Sequence, residues 1–127
     1  MPENIYSFTL PLGAQLNKDG TAIMLIAVLL FTAQATGIGF SMSEMVTIVF
    51  VGLILSESSG GIPEGGLVAA LVFVQSCNLP LEIAGIVAGI YRLVDIGSTT
   101  VNCMGDMTWT TILSDGEGER IRQQAGR

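Results

Sequence analysis

The chain has 127 residues, of which 50% are hydrophobic and only 13% are charged, and its formal charge is −6. A soluble domain of this length needs a more polar surface, so the composition predicts a membrane protein, with a hydrophobic soluble α-helical domain as the alternative. The few basic residues form no cluster that could meet phosphates, which excludes nucleic-acid binding.

The first 36 residues are predicted to form one membrane-spanning helix that is broken in its middle. Two apolar segments, Ile5 to Leu16 and Thr21 to Ala35, flank the polar sequence 17–20. A span needs about 20 apolar residues, which only the two segments together supply. Gly20 can end the first half and Thr21 can cap the second, and an unwound helix exposes carbonyls that bind cations. A plain turn between two short helices is the alternative.

Residues 43–77 are predicted to form a re-entrant helical hairpin. Its apolar segments, Met45 to Ser56 and Leu67 to Cys77, are each about a dozen residues long and too short to span a membrane. The tip between them, residues 56–66, is rich in Gly and Ser and contains Pro63. Irregular backbone is tolerated at membrane depth only where it lines a cavity, so the tip is a candidate gate.

Residues 80–113 are predicted to form a final transmembrane helix with a polar stripe. The stripe follows the spacing i, i+4, i+7 and i+11, which puts its side chains on one face over about 16 Å. Its members are Asp95, Thr99, Asn102 and Asp106. A buried carboxylate is costly unless it is paired, protonated or bound to a cation, so a bound cation is the first hypothesis. A seam of interhelical hydrogen bonds is the alternative.

The two cysteines give no sign of an enzyme. Cys77 and Cys103 cannot build a zinc site or a Cys/His nucleophile, because the chain contains no His.

Residues 114–127 are charged without an apolar period, and we expect an exposed, partly disordered tail. The arginines in this tail indicate a cytoplasmic C-terminus.

Three motifs occur together: the segment Ser7 to Thr21, the tip 56–66 and the segment Asp95 to Asp106. In this order and spacing they resemble the dicarboxylate/amino acid:cation symporters, the family of glutamate transporters and neutral amino-acid exchangers. The resemblance implies that the chain is the last third of such a transporter, with 1–36 as helix seven, 43–77 as the second hairpin and 80–113 as helix eight. It also implies a multi-pass protein of the plasma or bacterial inner membrane, assembled as a homotrimer, which neither folds nor transports without the missing helices.

The resemblance further implies three sodium sites, with protons as the alternative coupling ion. All three use oxygen ligands. For the first site, the implied ligands are the carbonyls of Gly13, Asn17 and Asn102 and the Asp106 carboxylate. For the second, they are the Asn17 side chain and Asp19, with groups outside this chain. For the third, they are the Gln15 carbonyl and carbonyls near Ser56, Glu57 and Ser59.

The substrate is implied to lie between these ions. By the resemblance, Asp95 holds its amino group, while Thr99 and Asn102 contact it. The hairpin tip closes over it through three residues, Gly61, Ile62 and Pro63.

Ser98 departs from the family pattern, because members that carry acidic substrates usually have Arg there. Arg would clamp a side-chain carboxylate bidentately, and Ser cannot. With Asp95 retained, a neutral or polar amino acid is favoured as the substrate. An acidic amino acid or a dicarboxylate is the alternative, since Arg92 lies two turns earlier; Arg92 can also pair with Asp95 or extend to the membrane surface.

Lys18 and Glu57 are a second departure, since the family usually has Met at the first position. We hypothesise that the two side chains pair in the closed state and replace the third sodium ion. Separate solvation of both side chains is the alternative.

Three function classes remain open: part of a symporter, an ion channel, and a structural membrane protein without transport. A broken helix beside a re-entrant tip favours the symporter, because alternating access requires a gated site near the membrane midplane.

Overall fold

The computed structural model describes residues 1–125, which form five α-helices and no β-strand. The helices are α1 Glu3–Leu16, α2 Asp19–Ala35, α3 Met42–Ser58, α4 Gly65–Ser76 and α5 Leu81–Ala125. The predicted all-α fold is confirmed.

The first two helices form one helical stretch that is interrupted only at Asn17 and Lys18. Within the described residues, this stretch is the one long and apolar enough to cross a membrane. The interruption is shorter than predicted: Gly20 lies in the first turn of α2, and Lys18, rather than Thr21, occupies the N-cap position. Thr21 is not available as a cap because it lies within the helix and its hydroxyl contacts α5.

Helices α3 and α4 pack on each other and on α2, as expected for a hairpin. Helix α3 begins with a capping box, in which the Ser41 hydroxyl accepts from the Glu44 N–H and the Glu44 carboxylate accepts from the Ser41 N–H. The helices extend into both sides of the predicted tip, so only residues 59–64 remain irregular. Within them, Gly61 and Glu64 have left-handed backbone conformations, with φ of 74° and 55°.

The core lies around α2, which packs against α3, α4 and α5, while α1 packs on α5. Leu25 and Leu29 of α2 are fully buried, as is Val74 of α4. Large apolar side chains nevertheless remain exposed on every helix, including Phe50 at 64% and Leu93 at 73%. Apolar surface of this extent needs lipid or further helices to cover it.

Helix α5 continues to Ala125, past residue 113 where the final transmembrane helix was predicted to end, so the described part of the charged tail is helical. The segment contains no Pro to stop the helix, and Arg120 pairs with Glu117 one turn earlier at 3.5 Å, a spacing that supports helix. Ser114 is buried against the rest of the chain. Arg127, one of the arginines used to predict the orientation, lies outside the described residues.

Candidate functional site

Asn102 of α5 holds both halves of the broken helix in place. Its side-chain oxygen accepts the Gly20 N–H at 2.8 Å, and its amide nitrogen donates to the Thr21 hydroxyl at 3.0 Å. Its backbone carbonyl accepts from the Asn17 amide at 3.0 Å. One residue therefore binds the end of α1 and the start of α2, which fixes the interruption against the polar stripe.

The residues of the first implied sodium site lie together. The Asn17 amide that reaches the Asn102 carbonyl also donates to Asp106 Oδ1 at 3.0 Å. Gly13 borders the same carboxylate so closely that a Cβ added to it would lie 2.6 Å from Asp106 Oδ1. Gly105 is equally constrained, because an added Cβ would overlap the Asn17 amide.

This donor set suits a hard monovalent cation. A carboxylate oxygen and a backbone carbonyl converge on the Asn17 amide, beside the C-terminal end of α1 where helix carbonyls lack partners. Within residues 1–118, no group of three His, Cys, Asp or Glu side chains could hold a metal ion. The first implied site therefore has Asp106 as its single carboxylate and backbone carbonyls as its other implied ligands; in this structure Asp106 Oδ1 and the Asn102 carbonyl accept the Asn17 amide N–H groups.

The second and third implied sites are less complete in this chain. Asp19 is exposed at the first residue of α2, whereas the Asn17 amide is directed towards α5. For the third site, the end of α1 does meet the tip: a Cβ on Gly60 would lie 3.0 Å from the Gln15 side-chain oxygen.

The carbonyls of the third site lie at the C-terminal end of α3, where helix carbonyls lack intrahelical partners. Ser56 is buried, and its carbonyl accepts both the N–H and the hydroxyl of Ser59, at 3.3 and 2.7 Å. Glu57 is exposed beside them.

A cavity of about 200 Å³ lies between the helix interruption, the hairpin tip and α5. Five of the residues implied to contact substrate line it: Asp95, Thr99, Asn102, Gly61 and Ile62. Its volume is below that of pockets for drug-sized ligands, about 300 Å³ and more, and suits a small solute.

Ser98 and Pro63 are not among the residues that line this cavity. Ser98 is buried between α2 and α5, with its hydroxyl 3.3 Å from that of Thr21. The two helices approach so closely there that a Cβ on Gly20 would overlap the Ser98 backbone. Pro63 is exposed in the tip. Ser98 therefore serves here as a small packing residue.

The charges around the cavity form pairs that sequence spacing did not predict. Arg92 binds Glu64 of the tip at 2.7 Å instead of Asp95, because the fold brings the tip beside α5. Asp95 accepts a hydrogen bond from the Tyr91 hydroxyl at 3.1 Å. In the described part of the chain no ion pair joins Lys18 to Glu57, and the Lys18 ammonium donates to the Ala14 carbonyl instead. Pairing of Lys18 with Glu57 in a closed state stays a prediction.

The polar stripe is longer than predicted, and the same spacing could have found its ends. Tyr91 lies four residues before Asp95 and lines the cavity. Thr110 lies four residues after Asp106, is 2% exposed, and lies 3.0 Å from the Thr9 hydroxyl of α1. The sequence prediction ends at the two carboxylates, Asp95 and Asp106, because an uncharged Tyr or Thr beyond them gives no signal of its own on an apolar helix.

Known proteins are similar to this chain in sequence. Residues 1–115 match the sodium:dicarboxylate symporter family. The chain is 31% identical over 118 residues to a proton/sodium-glutamate symport protein of Bacillus caldotenax, covering 93% of this chain and 28% of that protein. It is also 31% identical to excitatory amino acid transporter 3 of Mus musculus, covering 95% of this chain and 23% of that protein. A proton/glutamate-aspartate symporter of Bacillus subtilis is likewise 31% identical, covering 91% of this chain and 28% of that protein.

The chain thus spans about a quarter of the length of the curated relatives it matches. Within that span, the matched residues include the interrupted helix, the hairpin and the polar stripe of α5. A match over residues 1–115 covers every element that builds the cavity, and the chain therefore belongs to the sodium:dicarboxylate symporter family, a family of membrane transporters and not of enzymes.

Proposed function

We propose that this chain forms the substrate- and sodium-binding part of a secondary active symporter that moves a neutral or polar amino acid across the cell membrane. The observation that supports this most directly is the position of the polar stripe. At one end Asp95 and Thr99 open into the cavity, and at the other end Asn102 and Asp106 meet the helix interruption. Substrate and ion would therefore bind to the same face of one helix.

The charges at the cavity favour a substrate with an amino group. Among the described residues, the side-chain hydrogen bond to Asp95 comes from the neutral Tyr91 hydroxyl, so no cation of this part of the chain occupies the carboxylate that would bind an ammonium group. The substrate α-carboxylate would face the N-terminal end of α4 at Gly65 and Gly66, which borders the cavity and carries the positive end of the helix dipole.

Neutral substrates are favoured because the described residues that line the cavity offer no unpaired guanidinium for a second carboxylate. Ser98 is turned towards Thr21, and Arg92 is bound to Glu64. Lys18 also lines the cavity, and its ammonium donates to the Ala14 carbonyl. Transport of an acidic amino acid is the second candidate. It is supported by the position of Arg92 at the cavity and by the printed names of the relatives, which refer to glutamate and aspartate.

Coupling would follow from the shared residues. A sodium ion bound by Gly13, Asn17, Asn102 and Asp106 would hold the interruption and α5 together, and Asn102 also lines the substrate cavity. The hairpin tip would close over the bound substrate. We further propose that the complete protein contains the missing helices, lies in the bilayer as a multi-pass protein and assembles as a homotrimer.

The test is uptake of labelled serine, alanine, glutamate and succinate into vesicles that contain the complete transporter. We expect uptake of serine or alanine that requires an inward sodium gradient, with choline replacing sodium as the control. Absence of sodium-driven uptake for all four solutes would contradict the proposal. If glutamate is carried, the variant Arg92→Gln tests whether Arg92 binds its second carboxylate. In that case the variant should lose glutamate uptake and keep serine uptake.

A further inference from the structure

Tyr91 is a polar side chain at the cavity to which the proposed function gives no role. It is 6% exposed, and its ring belongs to the core cluster that also contains Met24 and Phe73. Its hydroxyl donates to Asp95 Oδ1 at 3.1 Å, four residues further along the same face of α5. The packed ring holds the hydroxyl in one place, so the hydrogen bond restrains the orientation of the carboxylate.

The same hydroxyl also contacts the hairpin. A Cβ added to Gly66, in the first turn of α4, would lie 2.9 Å from the Tyr91 hydroxyl oxygen and 3.1 Å from Met24 Cε. The distance to the hydroxyl is shorter than real Cβ contacts, whereas the flexible end of Met24 could move aside, so Gly at this position lets α4 lie against the Tyr91 hydroxyl. The position of α4 and the orientation of Asp95 are therefore linked through one phenol group.

A neutral donor differs from a cationic one in its effect on the substrate site. An Arg or Lys bound to Asp95 would compete with the substrate ammonium for the carboxylate, whereas a hydroxyl satisfies one oxygen and leaves the negative charge in place. Both Tyr91 and Asp95 line the cavity, so the carboxylate is presented to it with one oxygen already held.

We propose that Tyr91 is the positioning residue for Asp95: it holds the carboxylate in the orientation that binds the substrate amino group. It does so while α4 packs against its hydroxyl, where α4 belongs to the α3–α4 hairpin, here called the lid. This inference depends on the proposed function, because it assigns the substrate amino group to Asp95. It implies that closing the lid and preparing the ammonium site are one event.

The experiment compares Tyr91→Phe with the wild type in the complete transporter. The substitution removes the hydroxyl and keeps the ring, and we expect the KM for serine uptake to rise about tenfold, the effect of losing one hydrogen bond to a charged group. Sodium binding measured without substrate should change less than about twofold, since the hydroxyl does not contact the ion site. The control is Tyr6→Phe, because Tyr6 is the other tyrosine of the chain and is 39% exposed on α1.

A second variant tests the link to the lid. Gly66→Ala would push the hydroxyl away from α4, and we expect it to raise the KM for serine as Tyr91→Phe does, with little further rise when the two are combined. An unchanged KM in Tyr91→Phe would overturn the inference. So would a parallel loss of sodium affinity, substrate affinity and melting temperature, because that pattern identifies a packing residue. A wild-type transporter without sodium-driven amino-acid uptake would overturn the proposed function and this inference together.

Discussion

Two interruptions of helical structure meet at the cavity, and they are held in very different ways. The first, at Asn17 and Lys18, is attached to α5 by hydrogen bonds on both of its sides. The second, the tip at residues 59–64, makes most of its hydrogen bonds within the hairpin. Among the described residues, the side-chain hydrogen bond that joins the tip to α5 is the Glu64–Arg92 pair.

This difference indicates which interruption is rigid. Breaking a part-buried hydrogen bond and leaving its partner unsatisfied costs about 1–3 kcal/mol, and several such bonds hold the first interruption. An exposed ion pair contributes about 0–1 kcal/mol, and the side chains of Arg92 and Glu64 are 78% and 47% exposed. We infer that the first interruption is the fixed part of the candidate site and that the tip is the part that moves.

The largest expected effect comes from disrupting the fixed interruption. In Gly105→Ala the added methyl would overlap the Asn17 amide, which must then leave both the Asn102 carbonyl and Asp106. These two bonds hold the end of α1 against the implied ion ligands of α5, and their loss, at a net of about 1–2 kcal/mol together, should lower the apparent sodium affinity of uptake about fivefold to thirtyfold.

The matched control is Gly97→Ala on the same helix. Its added methyl meets no atom of this chain within 4 Å, so it gains the same helix propensity without the overlap. Equal sodium affinities in the two variants would show that the Asn17 contacts do not build the ion site. A titration of serine uptake against sodium concentration measures both.

A smaller effect is expected where the two interruptions meet. Lys18 lies in the first interruption and lines the cavity, and a Cβ on Gly60 of the tip would lie 3.5 Å from Lys18 Cε. If its ammonium pairs with Glu57 on closure and replaces a sodium ion, Lys18→Met should make uptake depend more steeply on sodium concentration, with a higher Hill coefficient.

Lys18→Arg is the control for that experiment, because it keeps the charge at the interruption. It should leave the Hill coefficient at the wild-type value. If Lys18→Met leaves the sodium dependence as steep as in the wild type, the ammonium does not replace an ion, and separate solvation of the two side chains is then the correct interpretation.

The two interruptions also differ in how far the sequence predicted them. Helical spacing alone placed Asp95, Thr99 and Asn102 on one face, because that periodicity is local. The contacts of Asn102 with both helix halves could not be predicted from spacing, since they join residues more than 80 positions apart. The cavity itself needs the tip to fold beside α5, which only tertiary packing determines.

Two features of the fold differ from what local sequence suggests, and for the same reason. Spacing offers Asp95 on the same helix as one partner for Arg92, while the fold supplies Glu64 from 28 residues away. Gly20 was interpreted as a helix end from its propensity, yet it is the residue that lets α2 approach Ser98 closely. Local preference gives way where packing between helices needs a small residue.

The smallest expected effect comes from releasing the mobile tip. Glu64→Gln keeps the size of the side chain and removes its charge, so the bond to Arg92 weakens and the closed state loses at most about 1 kcal/mol. We expect the apparent affinity for serine to fall about twofold to fivefold, and the difference from the wild type to shrink when choline chloride is added at constant sodium, because salt screens exposed pairs. Glu82→Gln, an exposed residue at the start of α5, is the matched control. If Glu64→Gln instead lowers the affinity more than about thirtyfold, or its effect is insensitive to salt, the tip is held as firmly as the first interruption and the contrast between the two fails.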